Sequence, residues 1–137
     1  MKSELSKKNE YWLPKHRYYE LKHFCLQYAY WQLKIAQLTC NITAYIGAHP
    51  VERSYDSPTE KCVLLRDKYK RYTKTVTEAA KMTDTELWSY ILKGVTLGYS
   101  YEQLQALYQI PCCRSVYYQL YRKFFYILSL TQESQLL

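Results

Sequence analysis

Apolar positions recur every three or four residues along most of the chain, the spacing that gathers side chains on one face of an α-helix. After Pro14, the positions Tyr18, Leu21, Phe24 or Cys25, Tyr28, Trp31, Leu33 and Ile35 predict one helix over residues 15–38. Between Thr39 and Asp56 that period lapses. Gly47 and Pro50 punctuate the stretch, and Ile42, Thr43, Tyr45 and Ile46 show no sustained repeat, so it reads as a connector.

Three start signals follow, each a hydroxyl residue with an acidic or amide residue three positions on, the pattern of a capping box. Ser57-Pro58-Thr59-Glu60 predicts a long helix to about Lys81, with Val63, Leu64, Tyr69, Tyr72 and Val76 inward. Thr83-Asp84-Thr85-Glu86 predicts a short, mostly buried helix that carries Leu87, Trp88, Ile91, Leu92 and Val95 and ends before Gly98. Ser100-Tyr101-Glu102-Gln103 opens a third, stopped at Ile110-Pro111 because proline disfavours helix in the residue before it. A last helix is expected from about Cys113 to Leu130. The predicted fold is all-α, one helical domain of four to five helices ending in a helix-turn-helix. Its first part, residues 1–56, holds the aromatic-rich helix and connector, and residues 57–130 hold the capped helices.

Composition narrows this further. With 137 residues, 48% hydrophobic, three Gly and four Pro, the chain is long enough for a core and too poor in turn formers for a many-stranded β fold. No apolar run reaches the roughly 18 residues of a membrane span, and MKSELSKKNEYWLPKHR lacks the apolar core of a secretory signal, so a cytoplasmic protein with no membrane partner is expected. Cys25, Cys40, Cys62, Cys112 and Cys113 are odd in number and unevenly spaced, which favours reduced thiols over a disulfide scaffold. His16, His23 and Cys25 lie near one another but lack a recognisable ligand spacing, so neither metal nor cofactor is expected. There is no Gly-rich phosphate loop, nucleophile elbow or HExxH, and the chain reads as non-catalytic.

Net charge is +7 and the pI about 9.1, which favours an acidic partner such as nucleic acid. The excess sits on the two long predicted helices. On the one from Pro58, Lys68, Lys70, Arg71 and Lys74 form a basic run suited to phosphate, a pattern shared with ordinary solvated helix faces. The most specific feature is the last third, YSYEQLQALYQIPCCRSVYYQLYRKFFYIL, which reads as helix, tight turn and longer helix. Leu104 and Leu107 are expected beneath Val116, Tyr117, Leu120 and Phe124, with Ile110 plugging the turn. The other side carries Arg114, Ser115, Tyr118 and Gln119, side chains suited to base edges in a major groove, followed by Arg122 and Lys123 for phosphate.

From Ser57 to Leu130, the long capped helix, TELWSYILKGVT, SYEQLQALYQIP and CRSVYYQLYRKFFYIL resemble the small phage-encoded transcription regulators of the RinA and ArpU type. The C-terminal part of that family is similar to the sigma-factor region that reads promoter elements. The resemblance implies a helical fold, duplex DNA as ligand, control of phage or prophage genes in a bacterial host, and RNA polymerase as a partner. It places Arg114, Ser115, Gln119 and Arg122 at recognition-helix positions. The second helix of the motif is unusually rich in aromatics, and the C-terminal segment is only weakly basic, so a dimer mate or a second basic face is expected to help.

A rival reading comes from the 17 tyrosines and three tryptophans. Tyr11, Trp12, Tyr18, Tyr19, Tyr30 and Trp31 crowd the first helix and suggest a protein interface, either a homodimer or a host nucleic-acid-processing protein that the chain inhibits or redirects. Bulk for a small core would give the same crowding.

Overall fold

In the computed structural model, residues 9–48 and 58–137 are described. They form six α-helices and, among them, no strand: α1 (Lys15–Leu26), α2 (Tyr28–Ala48), α3 (Pro58–Thr83), α4 (Trp88–Leu97), α5 (Tyr101–Tyr108) and α6 (Arg114–Gln135). The all-α expectation holds. The count rises to six because the predicted helix over 15–38 is two helices broken at Gln27.

The break follows from a change in which face is buried. In α1 the buried positions are Tyr18, Leu21 and Cys25, and one continuous helix would carry that stripe to positions 28 or 29 and then 32. Instead Trp31, Leu38 and Ile42 are buried. Gln27 absorbs the shift with a tighter turn, its N–H donating to the Phe24 carbonyl three residues back at 3.2 Å. The expected connector is also shorter at its start, because α2 continues through Ala48. In this stretch Thr39 and Thr43 donate their hydroxyls to the carbonyls of Ile35 and Thr39, which satisfies them inside a helix. The expected cap at Ser57 lies outside the described residues.

Downstream the caps decide the boundaries. Thr83 does not open α4. It is the last residue of α3, buried, with its hydroxyl donating to the Ala79 carbonyl. Asp84 instead caps the turn over residues 85–87 that leads into α4, accepting from the N–H groups of Glu86 and Leu87 at 2.8 and 2.7 Å, and α4 itself is entered at Leu87 with no side-chain cap. At the other end of α4, Gly98 takes the left-handed conformation, φ 74°, that terminates a helix most easily without a side chain. Ser100 and Gln103 form the complete capping box that the sequence predicts.

The chain divides into two compact units. One holds α1, the C-terminal part of α3 from Thr75, α4, α5 and α6. Here α1 packs on α4 and α6, and α5 packs on α4 and α6. Its core includes Leu21, Val76, Ile91, Leu104, Phe124 and Leu128. A ladder of rings runs through it, with Tyr18 edge-on to Phe125 and Tyr121 edge-on to Phe125. The other unit holds α2 and α3 up to Lys74. Its ring contacts include Trp31 with Tyr28 and Tyr72, Tyr30 edge-on to Tyr69, and Tyr69 edge-on to Tyr72.

Burial corrects several expectations. Tyr18 and Trp31, expected at a protein interface, are core residues at 8% and 1% exposure. Leu64, expected inward on α3, is exposed. In the last third, Leu104, Ile110, Tyr117 and Phe124 are buried as expected, but Leu107 and Val116 are exposed. With eight residues, α5 offers the core little more than Leu104, and Ile110 from the turn takes the next inward place. Tyr117 fills the inward position at the start of α6, and at 3.6 residues per turn its neighbour Val116 points well away from it.

Candidate nucleic-acid interface

The α5–turn–α6 hairpin is shaped by its turn. Gln109 ends α5 in the left-handed region at φ 55° and ψ 51°, and its N–H donates to the Gln105 carbonyl. Ile110 then drops into the core, Pro111 follows, and Cys113 precedes α6 in extended conformation. The Tyr101 hydroxyl donates to the Cys112 carbonyl at 2.7 Å, tying the start of α5 to the end of the turn. Tyr118 closes the same junction from α6: its hydroxyl accepts from the Tyr101 N–H at 3.3 Å.

With Tyr117, Tyr121, Phe124 and Phe125 facing inward, the first two turns of α6 expose Arg114, Ser115 and Gln119. Ser115 and Gln119, four residues apart, share one strip of the helix, while Arg114 stands at its first position on the side of Tyr117 and Tyr118. Arg114 donates from Nη1 to the Glu102 carboxylate at 2.7 Å, and its guanidinium lies 5.4 Å from the centre of the Tyr118 ring. Tyr118 is half-buried beneath it and engaged through its hydroxyl. Ser115 pairs its hydroxyl with the Cys113 thiol at 3.3 Å. That contact, with the N–H groups of Val116 and Ser115, lowers the Cys113 thiol below its ordinary range, while burial opposes the change.

Arg122 and Lys123 are half-buried, and the Arg122 Nε is buried without a hydrogen-bond partner among the described residues. Lys68, Lys70, Arg71 and Lys74 are exposed on the part of α3 that belongs to the other unit, and the Lys68 ammonium lies over the Tyr72 ring. Of the remaining aromatic candidates, Tyr11 packs against the Tyr126 ring and Trp12 is half-buried. Tyr19 packs edge-on against Tyr18, while Tyr30 is exposed. Two side chains were not marked by sequence reasoning. Glu102 reads as an ordinary acidic residue in a first helical turn, and only the fold brings it to Arg114. Lys93 of α4 lies 4.2 Å over the Tyr108 ring of α5, a cation–π pair at the flank of the hairpin.

Among the described residues no group of three His, Cys, Asp or Glu side chains is placed to hold a metal, and no helix is long and apolar enough to cross a membrane. Cys25 is buried among the core helices, and burial pushes its thiol far up. No protein-family model matches the chain, and comparison with curated proteins and with solved structures finds no match.

Proposed function

We propose that the chain is a non-catalytic, duplex-DNA-binding transcriptional regulator of phage or prophage genes that reads the major groove with the start of α6. The observation that carries this reading is the exposed set Arg114, Ser115 and Gln119 on the first two turns of α6, Ser115 and Gln119 opposite its buried face and Arg114 at its open start. Arginine pairs bidentately with guanine, glutamine with adenine, and serine with either base edges or phosphate. Arg122, Lys123 and the basic run Lys68, Lys70, Arg71 and Lys74 supply the sequence-independent attraction to the backbone. The RinA and ArpU resemblance adds a bacterial host and RNA polymerase as the protein recruited or blocked, and the weak charge of the C-terminal segment adds a homodimer, acting in the cytoplasm.

Selection of bound duplexes from a randomised library tests the reading. A recurring motif in the bound pool, lost with Arg114→Ala or Gln119→Ala, is the expected result. A pool no different from the input overturns it.

A second reading has its own observation. Tyr30, Leu33, Ile46 and Leu64 are each more than half exposed in the unit formed by α2 and the first part of α3, and exposed apolar side chains in one unit suit a protein contact. On this reading the chain grips a host nucleic-acid-processing protein and inhibits or redirects it. A pull-down from nuclease-treated bacterial lysate that retains one host protein, lost with Leu33→Glu, favours it. Retention of none leaves the DNA reading alone.

A further inference from the structure

Arg114 sits against a local preference. Unpaired backbone N–H groups and the helix dipole make a helix N-terminus positive, which favours acidic side chains there, yet the first turn of α6 contains none and begins with an arginine. The counter-charge comes from α5, where the Glu102 carboxylate accepts from Arg114 Nη1. Beneath the guanidinium lies the Tyr118 ring, itself held by the Tyr101 N–H. One arginine head is therefore held at its edge by a carboxylate and on its face by an anchored aromatic.

Stability is a weak reason for this arrangement. The two side chains are 63% and 57% exposed, and exposed ion pairs add little to folding. Orientation is a stronger reason, because a long side chain held in its binding pose loses less freedom when it binds.

We propose that Glu102 is a positioning and specificity-determining residue, which holds Arg114 against Tyr118 so that the guanidinium meets a guanine edge in a fixed orientation. The inference rests on the DNA-binding reading above. The ion pair engages Nη1, and the other guanidinium N–H groups remain to donate to O6 and N7 of guanine. The same carboxylate accepts from the N4 amino group of cytosine and is repelled by phosphate, so Glu102 favours a G·C pair without adding affinity for arbitrary DNA.

The test compares wild type, Glu102→Ala and Arg114→Lys, with Glu133→Gln as a charge control near the other end of α6. Each is measured by fluorescence anisotropy on the duplex selected by wild type and on its single base-pair variants, after circular dichroism has verified helix content. Glu102→Ala and Arg114→Lys are expected to lose about ten-fold discrimination for G·C over A·T at the same position. Glu102→Ala should bind a random duplex as well as wild type or better, and Glu133→Gln should leave discrimination unchanged. If Arg114→Lys loses discrimination and Glu102→Ala does not, the inference fails and the DNA reading stands. If wild type prefers no duplex over another, sequence-specific reading fails and the inference fails with it.

Discussion

The phenol of Tyr117 on α6 occupies the space that a side chain at Gly94 on α4 would fill: a β-carbon at Gly94 would collide with the Tyr117 hydroxyl, with Leu104 close by. The hydroxyl is buried and has no hydrogen-bond partner among the described residues. Burial also pushes its pKa far above the ordinary tyrosine range. Close approach of the ring to the α4 backbone thus sets how α6 seats on α4, which fixes the angle at which the start of α6 leaves the core. Gly94→Ala is expected to destabilise the protein by about 3 kcal/mol, since the clash is with a ring packed on all sides. Tyr117→Phe removes an unpaired polar atom and should be neutral or mildly stabilising. The double variant should recover part of the loss, all three being measured by urea denaturation.

Alkaline pH should weaken the fold through its buried tyrosines and cysteine. Tyr18 and Tyr121 share a buried hydroxyl–hydroxyl hydrogen bond of 2.9 Å. Burial raises the pKa of each; for Tyr18 the bond partly offsets the rise, and for Tyr121 the charge of Tyr18 and the bond add to it. Cys25 and Tyr117 are raised by burial as well. The folded state therefore keeps protons that the unfolded chain releases. Stability from these groups is complete below their unfolded pKa values, about 8.5 for cysteine and about 10 for tyrosine, and is lost as pH rises beyond them. Urea midpoints should be level between pH 7 and 8 and fall steadily above about pH 9. Cys25→Ala should delay the onset toward pH 10. A midpoint unchanged at pH 10.5 would show that these hydroxyls are solvated.

Gln109 carries a left-handed conformation on a residue with a β-carbon. Glycine at this C-terminal cap removes the steric penalty but loosens the unfolded chain. Gln109→Gly is expected to raise stability by about 0.5–1 kcal/mol, and Gln109→Val, branched at Cβ, to lower it. Thermal denaturation of the pair against wild type checks the sign of each change.

The cysteines should differ in reactivity by position. Cys113 is exposed and its thiol is lowered by contact with Ser115, while Cys25 is buried and its thiol raised. With iodoacetamide at pH 7.5, mass spectrometry should find Cys113 alkylated ahead of Cys112, whose thiol is raised by burial and by its neighbour Cys113. Cys25 should react only after denaturation. Early modification of Cys25 would mean that α1 opens readily from the core.

The sequence and the structure agree most closely where a short-range rule governs. The Ser100–Gln103 capping box, the stop at Gly98 and the turn at Ile110-Pro111 all rest on hydrogen bonds or backbone angles within a few residues, and all stand where expected. The break at Gln27 carries no proline or glycine, and shows in the sequence only as a slip between the stripes that end at Cys25 and begin at Trp31. Asp84 and not Thr83 caps the turn before α4, because both residues suit the role and only the path of α3 chooses between them. In the candidate interface, Ser115 and Gln119 could be marked because the helical period puts them opposite Tyr117 and Tyr121, and Arg114 because it begins the helix. Glu102 could not, since its link to Arg114 crosses twelve residues of chain and a turn.

If the start of α6 meets duplex DNA, its binding depends on salt through the cations it brings to the backbone. Binding of a labelled random-sequence duplex should be followed by fluorescence anisotropy for wild type and for Arg114→Ala/Arg122→Ala across rising salt. The logarithm of the binding constant should fall linearly with the logarithm of salt, with a slope shallower by about 1 in the variant as the phosphate contact of Arg122 is lost. No binding at the lowest salt, or the same slope in both proteins, would contradict DNA binding by the start of α6.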